Sequence, residues 1–472
     1  MTAARRTQSN FALQLAIEQA DTFNRPLLVL EAVRCGYQWA SARFHKFLMD
    51  GMEDNAASFA AASITYYPYI EPKAQHGCGL LDALARQACV VITDEFPSFF
   101  LPRMVRAAAT QVPCSLLAVD GNGILPLALA PKVFTTAFSF RRHVHKSILG
   151  HLDTLPETNP LAFATPRLAA EIPPAILKRW PTAPFIHLQE GAATLLRKLP
   201  IDQAVLPTTQ RGGARRALEL WQLFLGERLE AYPDHRNQPH REGTSRLSPY
   251  LHFGHISSHT MVGDLLAREE WTPAQVAPKP TGSRAGWWGL SPAVEAYLDQ
   301  LITWREVGYT FCHKNPDTYG RFESLPNWAL ETLSLHQHDP RPDIYQLDAF
   351  ESAQTHDPIW NAAQRQLVAE GTIHNYLRML WGKKILHWSE TPQQALSIMT
   401  HLNNKYALDG RNPNSTSGIF WTLGRFDRAW GPERPIFGKV RYMSSESAAR
   451  KLNLKPYLAR WSQSQLPLVL GS

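Results

Sequence analysis

Three tryptophans lie close together in the stretch from Asp357 to Trp388, and their type and spacing suit electron transfer. Trp381 and Trp388 are seven residues apart in a continuous helical pattern, so they share one face of a helix, roughly 10 Å apart along its axis. Trp360 precedes another run of helical composition, residues 361–370, and Gly371 allows that run to fold back beside the helix of Trp381 and Trp388. Because indoles are polarisable and oxidisable, three in file predict an electron path between the surface and a buried redox group. Core packing is the competing interpretation, since aromatic residues at helical spacing usually fill space.

A second group of reactive side chains lies in the segment TSRLSPYLHFGHIS, residues 244–257. Ser248 followed by Pro249 predicts a helix N-terminus with Ser248 as its N-cap. Free backbone N–H groups at such an end bind anions, and Thr244, Ser245 and Arg246 can add donors. The segment predicts a site for the pyrophosphate of a dinucleotide, although the capping signal alone is common.

The charge and the distribution of tryptophan favour a nucleic acid as the partner. The chain of 472 residues has a formal net charge of +7 and a pI near 9.1. Proteins that bind polyanions have such an excess, but so do many that bind none. Only Trp39 and Trp180 precede residue 201, whereas the other twelve tryptophans lie between Trp221 and Trp461. Aromatic chemistry is therefore expected in the C-terminal half.

Cysteine usage and hydropathy predict a cytoplasmic protein. The five cysteines are scattered and have no CxxC spacing, which argues against a disulfide framework and against a zinc site. No apolar run approaches the roughly 20 residues that span a bilayer, and no hydrophobic signal region follows the charged start. We therefore expect no metal and no membrane association. No obligate protein partner is implied either, so we expect a monomer.

The elements that must position these residues begin with an alternation of helices and strands. The predicted helices are 11–22, 44–59, 80–88 and 101–110, and the predicted strands are 26–33, 63–70, 89–93 and 115–119. This alternation predicts an α/β domain with a doubly wound parallel sheet over residues 1–150. Such domains normally open with a strand, whereas this one opens with a helix. The first strand is therefore missing, and we expect the native start to lie upstream of Met1.

Two further segments complete the predicted organisation. Residues 151–210 are rich in proline and predict a linker that runs over the surface. Residues 211–472 predict an all-α domain, with helices at 212–231, 292–309, 348–370, 374–387 and 392–402. The predicted fold class is therefore α/β plus all-α, and both reactive groups fall in the helical domain.

Several motifs of the helical domain resemble those of the photolyase and cryptochrome family. Tyr232, Arg236 and Asn237 precede the TSRLS segment in the order of the family's flavin-binding signature. The segments THDPIWNAAQ, HNYLRMLWGKKIL, LNNKYALDGRNPN and RPIFGKVRYM are similar to the class II cyclobutane pyrimidine dimer photolyases. The resemblance covers about residues 212–455. The first domain resembles the family's antenna domain more loosely, in ARFHKFLMDGM and VDGNGILP.

The resemblance implies that the helical domain binds FAD in a folded form, with the reduced anion as the working state. It assigns Asn403 to the flavin N5 region, and Arg378 with Asp409 to an ion pair over the isoalloxazine. The implied cofactor-binding residues are Tyr232, Thr244, Ser245, Arg246, Leu247, Ser248, Arg378, Asn403 and Asp409. The family's first domain can hold an antenna chromophore such as a deazaflavin or a folate, and the sequence leaves open whether this chain binds one.

The resemblance also implies UV-damaged DNA as the partner. Two pyrimidines joined by a cyclobutane ring must leave the duplex before a buried flavin can reach them, and damage lowers the cost because the dimer stacks poorly. Trp304 and Trp421 match the two dimer-facing tryptophans of the family, each able to contribute roughly 1–3 kcal/mol by stacking. Arg236 and Asn237 would help to fill the hole left in the duplex. A backbone-binding edge would comprise Arg428, Trp430, Lys439 and Arg441.

Gln300 departs from the family pattern. The family normally has a glutamate there, about four residues before the first pocket tryptophan, and an amide cannot lend the proton that a carboxyl group can. The (6-4) photolyases and many cryptochromes also carry glutamine at this place. Met379 argues the other way, because the (6-4) enzymes have a catalytic histidine where this chain has a thioether. We therefore expect cyclobutane dimers as the substrate.

The implied activity is light-dependent DNA repair by a carbon–carbon lyase. Photoexcited FADH− passes an electron to the dimer, both ring bonds split, and the electron returns. The residues assigned to this chemistry are Trp381, Trp360, Trp388, Asn403 and Met379. The tryptophans would act in the order Trp381, Trp360, Trp388 outward from the flavin, to restore its reduced form. The alternatives are a (6-4) photolyase, a cryptochrome-type light-signalling protein and a flavoenzyme for a small substrate.

Overall fold

The computed structural model describes residues 1–164, 169–183 and 191–462. Parts of the proline-rich segment at 165–168 and 184–190, and the end of the chain from 463, lie outside the described residues. The chain divides into two compact units that interleave along the sequence. Unit 1 comprises residues 1–131, 146–223 and 246–276, and unit 2 comprises residues 132–145, 224–245 and 277–472. The sequence instead predicts consecutive domains with boundaries near residues 150 and 210.

Four strands form two parallel pairs in unit 1. They are β1 (Leu28–Val33), β2 (Thr65–Ile70), β3 (Val90–Asp94) and β4 (Ser115–Val119). Leu28 of β1 lies opposite Thr65 of β2, and Val90 of β3 lies opposite Ser115 of β4. All four lie where the apolar runs predict them and pair in parallel, because a helix connects each strand to the next.

The strands do not form the single doubly wound sheet that the sequence predicts. In the described residues β1 pairs with β2 alone and β3 with β4 alone. The start of the chain makes hydrogen bonds to both pairs. The Met1 ammonium donates to the carbonyl of Leu30 at 2.8 Å, and the backbone N–H groups of Thr2 and Ala3 donate to the Asp94 carboxylate at 2.8 and 3.1 Å.

Helices make up most of the remaining regular structure. The α-helices are α1 (Phe11–Thr22), α2 (Ala42–Ala61), α3 (Leu80–Ala85), α4 (Leu101–Gln111), α5 (Ala137–Ser147), α6 (Leu149–Leu152), α7 (Pro174–Arg179), α8 (Gly191–Lys198), α9 (Ala214–Leu223), α10 (Tyr232–His235), α11 (Ser248–His252), α12 (Ser258–Arg268), α13 (Pro292–Leu298), α14 (Arg305–Lys314), α15 (Asn327–Leu335), α16 (Leu347–Glu351), α17 (Pro358–Glu370), α18 (Asn375–Trp388), α19 (Pro392–Tyr406), α20 (Pro413–Thr422), α21 (Ser445–Lys451) and α22 (Lys455–Arg460). The segments Phe224–Arg228 and Asp299–Trp304 are π-helical.

Local sequence signals fix the ends of the helices that matter most in unit 2. The Asp357 side chain caps α17 by accepting from the N–H groups of Ile359 and Trp360, and Pro358 follows it in the first turn. Gly371 ends α17 with φ 68°, a left-handed conformation that glycine adopts without steric cost. The chain then reverses, and α18 packs against α17, α19 and α20. The fold-back predicted at Gly371 is therefore present.

Candidate active site in unit 2

A cavity of about 1260 Å³ lies in unit 2, larger than the roughly 300–1,000 Å³ of a typical small-molecule site. Its lining residues come from α5, α10, α13, the π-helical segment 299–304, α18, α19, α20 and the loops after α10, before α13 and after α20. The predicted site residues among them are Arg236, Asn237, Gln300, Trp304, Arg378, Met379, Trp381, Asn403, Trp421, Arg428, Trp430 and Arg441. Helices distant in sequence thus place most of the predicted catalytic and DNA-binding residues around one space.

Arg378 and Asp409 form a bidentate ion pair at this cavity. Arg378 Nη1 donates to Asp409 Oδ2 at 3.1 Å, and Nη2 donates to Oδ1 at 2.8 Å. The carboxylate is nearly buried, whereas a quarter of the arginine side chain is exposed and Arg378 lines the cavity. Two parallel hydrogen bonds fix the plane of the guanidinium. The cavity therefore presents the positive charge of Arg378, and the ion pair with Asp409 fixes the orientation of its guanidinium.

The Asn403 amide is held by its nitrogen. Its Nδ2 donates to Ser415 Oγ at 2.8 Å and to Asn404 Oδ1 at 3.1 Å. No described residue donates to its Oδ1, although the residue is only 4% exposed and lines the cavity. An amide oxygen can accept a hydrogen bond, and the two hydrogen bonds of Nδ2 fix its direction. The site therefore offers an oriented acceptor to a ligand.

The three tryptophans form one continuous contact chain. The rings of Trp381 and Trp360 are stacked with centroids 6.4 Å apart, and those of Trp360 and Trp388 meet edge to face at 6.1 Å. Trp381 lines the cavity. Trp360 on α17 lies between the two tryptophans of α18, which gives the contact order Trp381, Trp360, Trp388 that the sequence predicts. The chain does not reach the surface at Trp388, which is only 1% exposed.

Tryptophans and cations form the rim of the cavity. Arg441 lies over the ring of Trp430 at 3.9 Å, and Arg428 lies over the same ring at 4.4 Å. The Arg441 guanidinium is also 5.7 Å from the Trp421 ring and is anchored by Asp427, to which its Nε donates at 2.7 Å. Cations over indole faces combine charge with a flat apolar surface. This rim suits a polyanion that carries exposed bases.

Lys439 is the one predicted DNA-binding residue that does not line the cavity. Its ammonium lies 3.3 Å from the Glu433 carboxylate, and more than half of its side chain is exposed. The ion pair makes Lys439 an ordinary surface cation, for which solvent screening leaves little net interaction. The alternation of charged and apolar residues in the loop did not reveal which side chains point inward.

The predicted phosphate-binding segment is divided between the two units. Thr244 and Ser245 end a segment of unit 2, where the hydroxyl of Tyr297 donates to Ser245 Oγ at 2.9 Å. Tyr232 is buried in the same unit with its ring 5.2 Å from that of Tyr297, and burial raises the pKa of its phenol. Arg246, Leu247 and Ser248 belong to unit 1, with Arg246 and Ser248 exposed and Leu247 buried.

The prediction that Ser248 is an N-cap is wrong. The N-cap residue of α11 is Leu247, Ser248 is the first helical residue, and no side chain caps this end. The reason lies in the preceding residue, because Arg246 has φ 58° and turns the backbone one residue earlier than the proline implies. Ser248 therefore offers its hydroxyl from inside the first turn.

The sequence did not predict two buried charged groups of unit 2, Lys383 and Arg141. Lys383 donates to the Thr422 carbonyl at 2.7 Å and lies 4.9 Å from the Trp421 ring centroid. Burial lowers its pKa to about 7. Arg141 Nε donates to Asp299 Oδ1 at 2.6 Å inside the unit. A pair of lysines in the middle of the apolar helix LWGKKILHW was the available signal for Lys383, since lysine is rarely buried.

Known proteins resemble the chain over almost its whole length. It is 33% identical over 463 residues to a deoxyribodipyrimidine photo-lyase of Methanothermobacter thermautotrophicus, covering 98% of this chain and 93% of that protein. It is 29% identical to the enzyme of the same name from Potorous tridactylus, covering 97% of this chain and 79% of that protein. No family model matches the chain.

Solved structures share the fold at low sequence identity. The class III photolyase of Agrobacterium tumefaciens aligns with a TM-score of 0.65 at 16% identity, over 97% of this chain and 84% of that one. An archaeal photolyase of Sulfolobus tokodaii, solved with two FAD molecules, aligns with a TM-score of 0.66 at 14% identity, over 98% of this chain and 88% of that one. The mixed α/β architecture is therefore that of photolyases.

The sequence relatives decide the family. The chain belongs to the photolyase and cryptochrome family. It is an enzyme of DNA repair, a lyase of the deoxyribodipyrimidine photo-lyase type. In the part of the chain that the structure describes, no helix has the length and apolar character needed to cross a membrane.

Proposed function

We propose that this enzyme is a class II photolyase that splits cyclobutane pyrimidine dimers in UV-damaged DNA, with FAD bound in the cavity of unit 2. One observation carries the proposal: Asn403, whose amide is fixed through its nitrogen, Arg378 and Trp381, the inner end of the tryptophan chain, all line the same cavity. An oriented acceptor, a fixed cation and an adjacent chain of oxidisable rings together suit a reduced, anionic flavin.

The residues present fit this cofactor. Asn403 Oδ1 can accept a hydrogen bond from a protonated ring nitrogen, which favours the protonated, reduced form of a flavin. Arg378, oriented by Asp409, offsets negative charge at the ring. Tyr232 and the donors of Thr244, Ser245, Arg246, Leu247 and Ser248 remain the proposed binding set for the rest of the dinucleotide. When bound and reduced, the flavin supplies one electron to the substrate on illumination and receives it back after the ring opens.

The walls of the cavity receive the damaged bases. Trp304 and Trp421 both line it and can stack against the two linked pyrimidines once these have left the duplex. Arg236 and Asn237 would fill the space left in the duplex, and the cations over Trp430 would hold the phosphates. Excluding water from this space strengthens every charge interaction within it.

Two residues bear on which lesion is repaired, and they favour different lesions. Met379 lines the cavity and cannot act as the acid that (6-4) repair needs, which favours cyclobutane dimers. Gln300 lines the same cavity and supports the second candidate, a (6-4) photolyase or a cryptochrome-type signalling protein. We give Met379 more weight, because a missing acid prevents the (6-4) reaction, whereas an amide can still donate a hydrogen bond to a cyclobutane dimer.

A repair assay tests the proposal directly. Reduced holoenzyme is mixed with duplexes that carry either a thymine cyclobutane dimer or a (6-4) lesion, and restored thymines are counted in light and in darkness. We expect light-dependent repair of the first duplex only. Repair of the (6-4) duplex alone would favour the second candidate, and no repair of either would favour the signalling protein.

The variant Gln300→Glu tests whether residue 300 contacts the dimer. A glutamate restores a carboxyl group that can donate a proton or a strong hydrogen bond to the dimer, so we expect more dimers split per absorbed photon than in the parent enzyme. Gln300→Leu, which has similar size but no polar group, is the matched control and should repair less. Equal yields in all three proteins would show that Gln300 does not contact the lesion.

Three further properties belong to the same proposal. The protein is proposed to act as a cytoplasmic monomer. Unit 1 is proposed as the antenna unit, and the chromophore is left open between a deazaflavin, a folate and none. The absorption spectrum of the purified protein distinguishes these, because any pigment besides the flavin adds its own near-UV band. Size-exclusion chromatography with light scattering checks the monomer.

A further inference from the structure

The tryptophan chain ends at a residue that is closed off from solvent by other aromatic rings. Trp388 is the outermost of the three, yet only 1% of it is exposed. The ring of Tyr345 meets it edge to face with centroids 5.7 Å apart, and the Tyr345 N–H donates to the Trp388 carbonyl at 3.0 Å. Tyr345 is partly exposed. It therefore extends the line of aromatic contacts from Trp388 toward the surface.

The phenol of Tyr345 has a proton acceptor. Its hydroxyl lies 2.7 Å from His356 Nδ1, and the backbone N–H of His356 donates to the same oxygen at 3.1 Å. The Asp343 carboxylate lies 3.7 Å from Nδ1 of this imidazole. The His356 side chain is exposed and its ring also touches Trp388, at 5.0 Å. A proton that leaves the phenol can therefore pass to a base in contact with solvent.

Charge at Trp388 favours moving a positive hole outward. The Lys384 ammonium lies 5.0 Å from the Trp388 ring centroid, is almost wholly buried, and forms an ion pair with the Asp357 carboxylate at 3.4 Å. Repulsion between like charges is strong where water is excluded. A radical cation on Trp388 would lie beside this ammonium, whereas a tyrosine that has lost both an electron and a proton is neutral.

We propose that Tyr345 is the terminal electron donor of the relay and that His356 accepts its phenolic proton. The inference rests on the proposed function, in which Trp381 would give one electron to the bound, oxidised cofactor on illumination and Trp360 would pass the hole outward to Trp388. In the new step one electron moves from Tyr345 to the Trp388 radical cation. The phenolic O–H bond breaks and its proton moves to His356 Nδ1. The products are neutral Trp388, a neutral Tyr345 radical and the His356 imidazolium.

The step affects the recombination of the separated charges, the return of the electron from the cofactor to the oxidised residue. With the hole on Tyr345 and its proton on His356, the positive charge has left the buried part of the chain, and the return of the electron needs the proton to return as well. The exposed part of Tyr345 can then be reduced by a small reductant from solution. The tyrosine thereby lengthens the lifetime of the reduced cofactor.

Flash photolysis and electron paramagnetic resonance test the inference on flavin-loaded protein. We expect a radical whose hyperfine pattern changes when ring-deuterated tyrosine is incorporated. In Tyr345→Phe the radical should reside on tryptophan and recombine about tenfold faster, a change that corresponds to roughly 1.4 kcal/mol in the barrier. His356→Phe, which keeps a ring but removes the proton acceptor, should also retain the tryptophan radical.

Control variants distinguish a failure of the Tyr345 assignment from a failure of the tryptophan relay. Tyr457→Phe removes a phenol elsewhere in unit 2, whose hydroxyl bonds to Gln366 at 2.8 Å, and should leave the radical unchanged. Thermal unfolding of each variant checks that packing is intact. A tryptophan radical with wild-type kinetics in Tyr345→Phe would overturn the inference and leave the relay standing. No radical of either kind in flavin-loaded wild-type protein would overturn the relay and the inference with it.

Discussion

The indole of Trp360 lies parallel to that of Trp381, with an interplanar angle of 4° and a centroid separation of 6.4 Å. Each indole N–H is also fixed, that of Trp360 by the Trp381 carbonyl at 3.0 Å and that of Trp381 by Gln364 at 2.9 Å. These hydrogen bonds hold two rings from consecutive helices in one arrangement. Packing alone requires burial, whereas this geometry also gives each ring a defined neighbour for electron transfer.

Removing the inner tryptophan should uncouple photoreduction from repair. In Trp381→Phe the ring adjacent to the cavity is no longer easily oxidised, so we expect the initial rate of flavin photoreduction to fall at least about tenfold, or roughly 1.4 kcal/mol in the barrier. Chemically reduced Trp381→Phe should repair dimers at nearly the parent yield. Absorption spectra recorded under blue light measure the first effect, and a repair assay measures the second.

The matched control for this variant is Trp461→Phe, because Trp461 is a partly exposed tryptophan of unit 2 outside the contact chain. It should photoreduce like the parent protein. Normal photoreduction of Trp381→Phe would show that electrons reach the flavin by another route.

Replacing Asn403 by leucine should make the cofactor harder to reduce. The substitution keeps a similar volume but removes the amide oxygen that faces the cavity, and one hydrogen bond is worth about 0.5–1.5 kcal/mol. For a two-electron couple this corresponds to a potential lower by about 10–30 mV. Redox titration of the bound flavin measures the shift. Ser415→Ala, which removes only a partner of the Asn403 nitrogen, should shift the potential less. A higher potential in Asn403→Leu would contradict the assigned acceptor role.

Truncating Trp421 should weaken binding of damaged DNA selectively. Stacking on an aromatic ring contributes roughly 1–3 kcal/mol per base, so Trp421→Ala should raise the dissociation constant for a dimer-containing duplex about 5- to 150-fold. Affinity for an undamaged duplex should change little. Lys439→Ala provides the comparison, because Lys439 lies outside the cavity and should alter both duplexes alike. Fluorescence titration at fixed salt measures all four values, and equal losses on both duplexes in Trp421→Ala would argue against a stacking role.

Lys383 should make stability depend on pH in the alkaline range. Burial lowers its pKa from 10.5 to about 7. Between these values the unfolded chain binds the proton and the folded chain does not, so the free energy of unfolding rises with pH. The slope is up to about 1.4 kcal/mol per pH unit for this group. Lowering the pH from 10 toward 7 should therefore destabilise the parent protein relative to Lys383→Met.

Urea denaturation at several pH values measures this difference, since other titrating groups are common to both proteins. Lys383→Arg stays charged over the whole range and should be less stable than Lys383→Met by an amount that does not vary with pH. A difference between parent and Lys383→Met that is constant from pH 7 to 10 would rule out the buried titration.

Much of the local structure follows from the sequence alone. The apolar runs locate all four strands within a few residues, because short continuous apolar runs favour strands, although β4 itself is mostly exposed. Glycine at 371 marks the C-terminal end of α17, since its backbone preference does not depend on distant contacts, whereas the single helix predicted over 348–370 is divided into α16 and α17. The contact order of the three tryptophans agrees with the order that the family resemblance implies.

The tertiary structure decided which strands pair and which side chains are buried. Contacts between residues far apart in sequence decide whether β1 and β3 belong to one sheet. They also decide which carbonyl accepts from Lys383 and which ring covers the outer end of the tryptophan chain. Tyr345 carries no local signal, because a tyrosine before a short helix is ordinary, and only the packing of α18 places it against Trp388. Local preferences are set by neighbours in the chain, whereas burial, charge state and proximity are set by the whole packed unit.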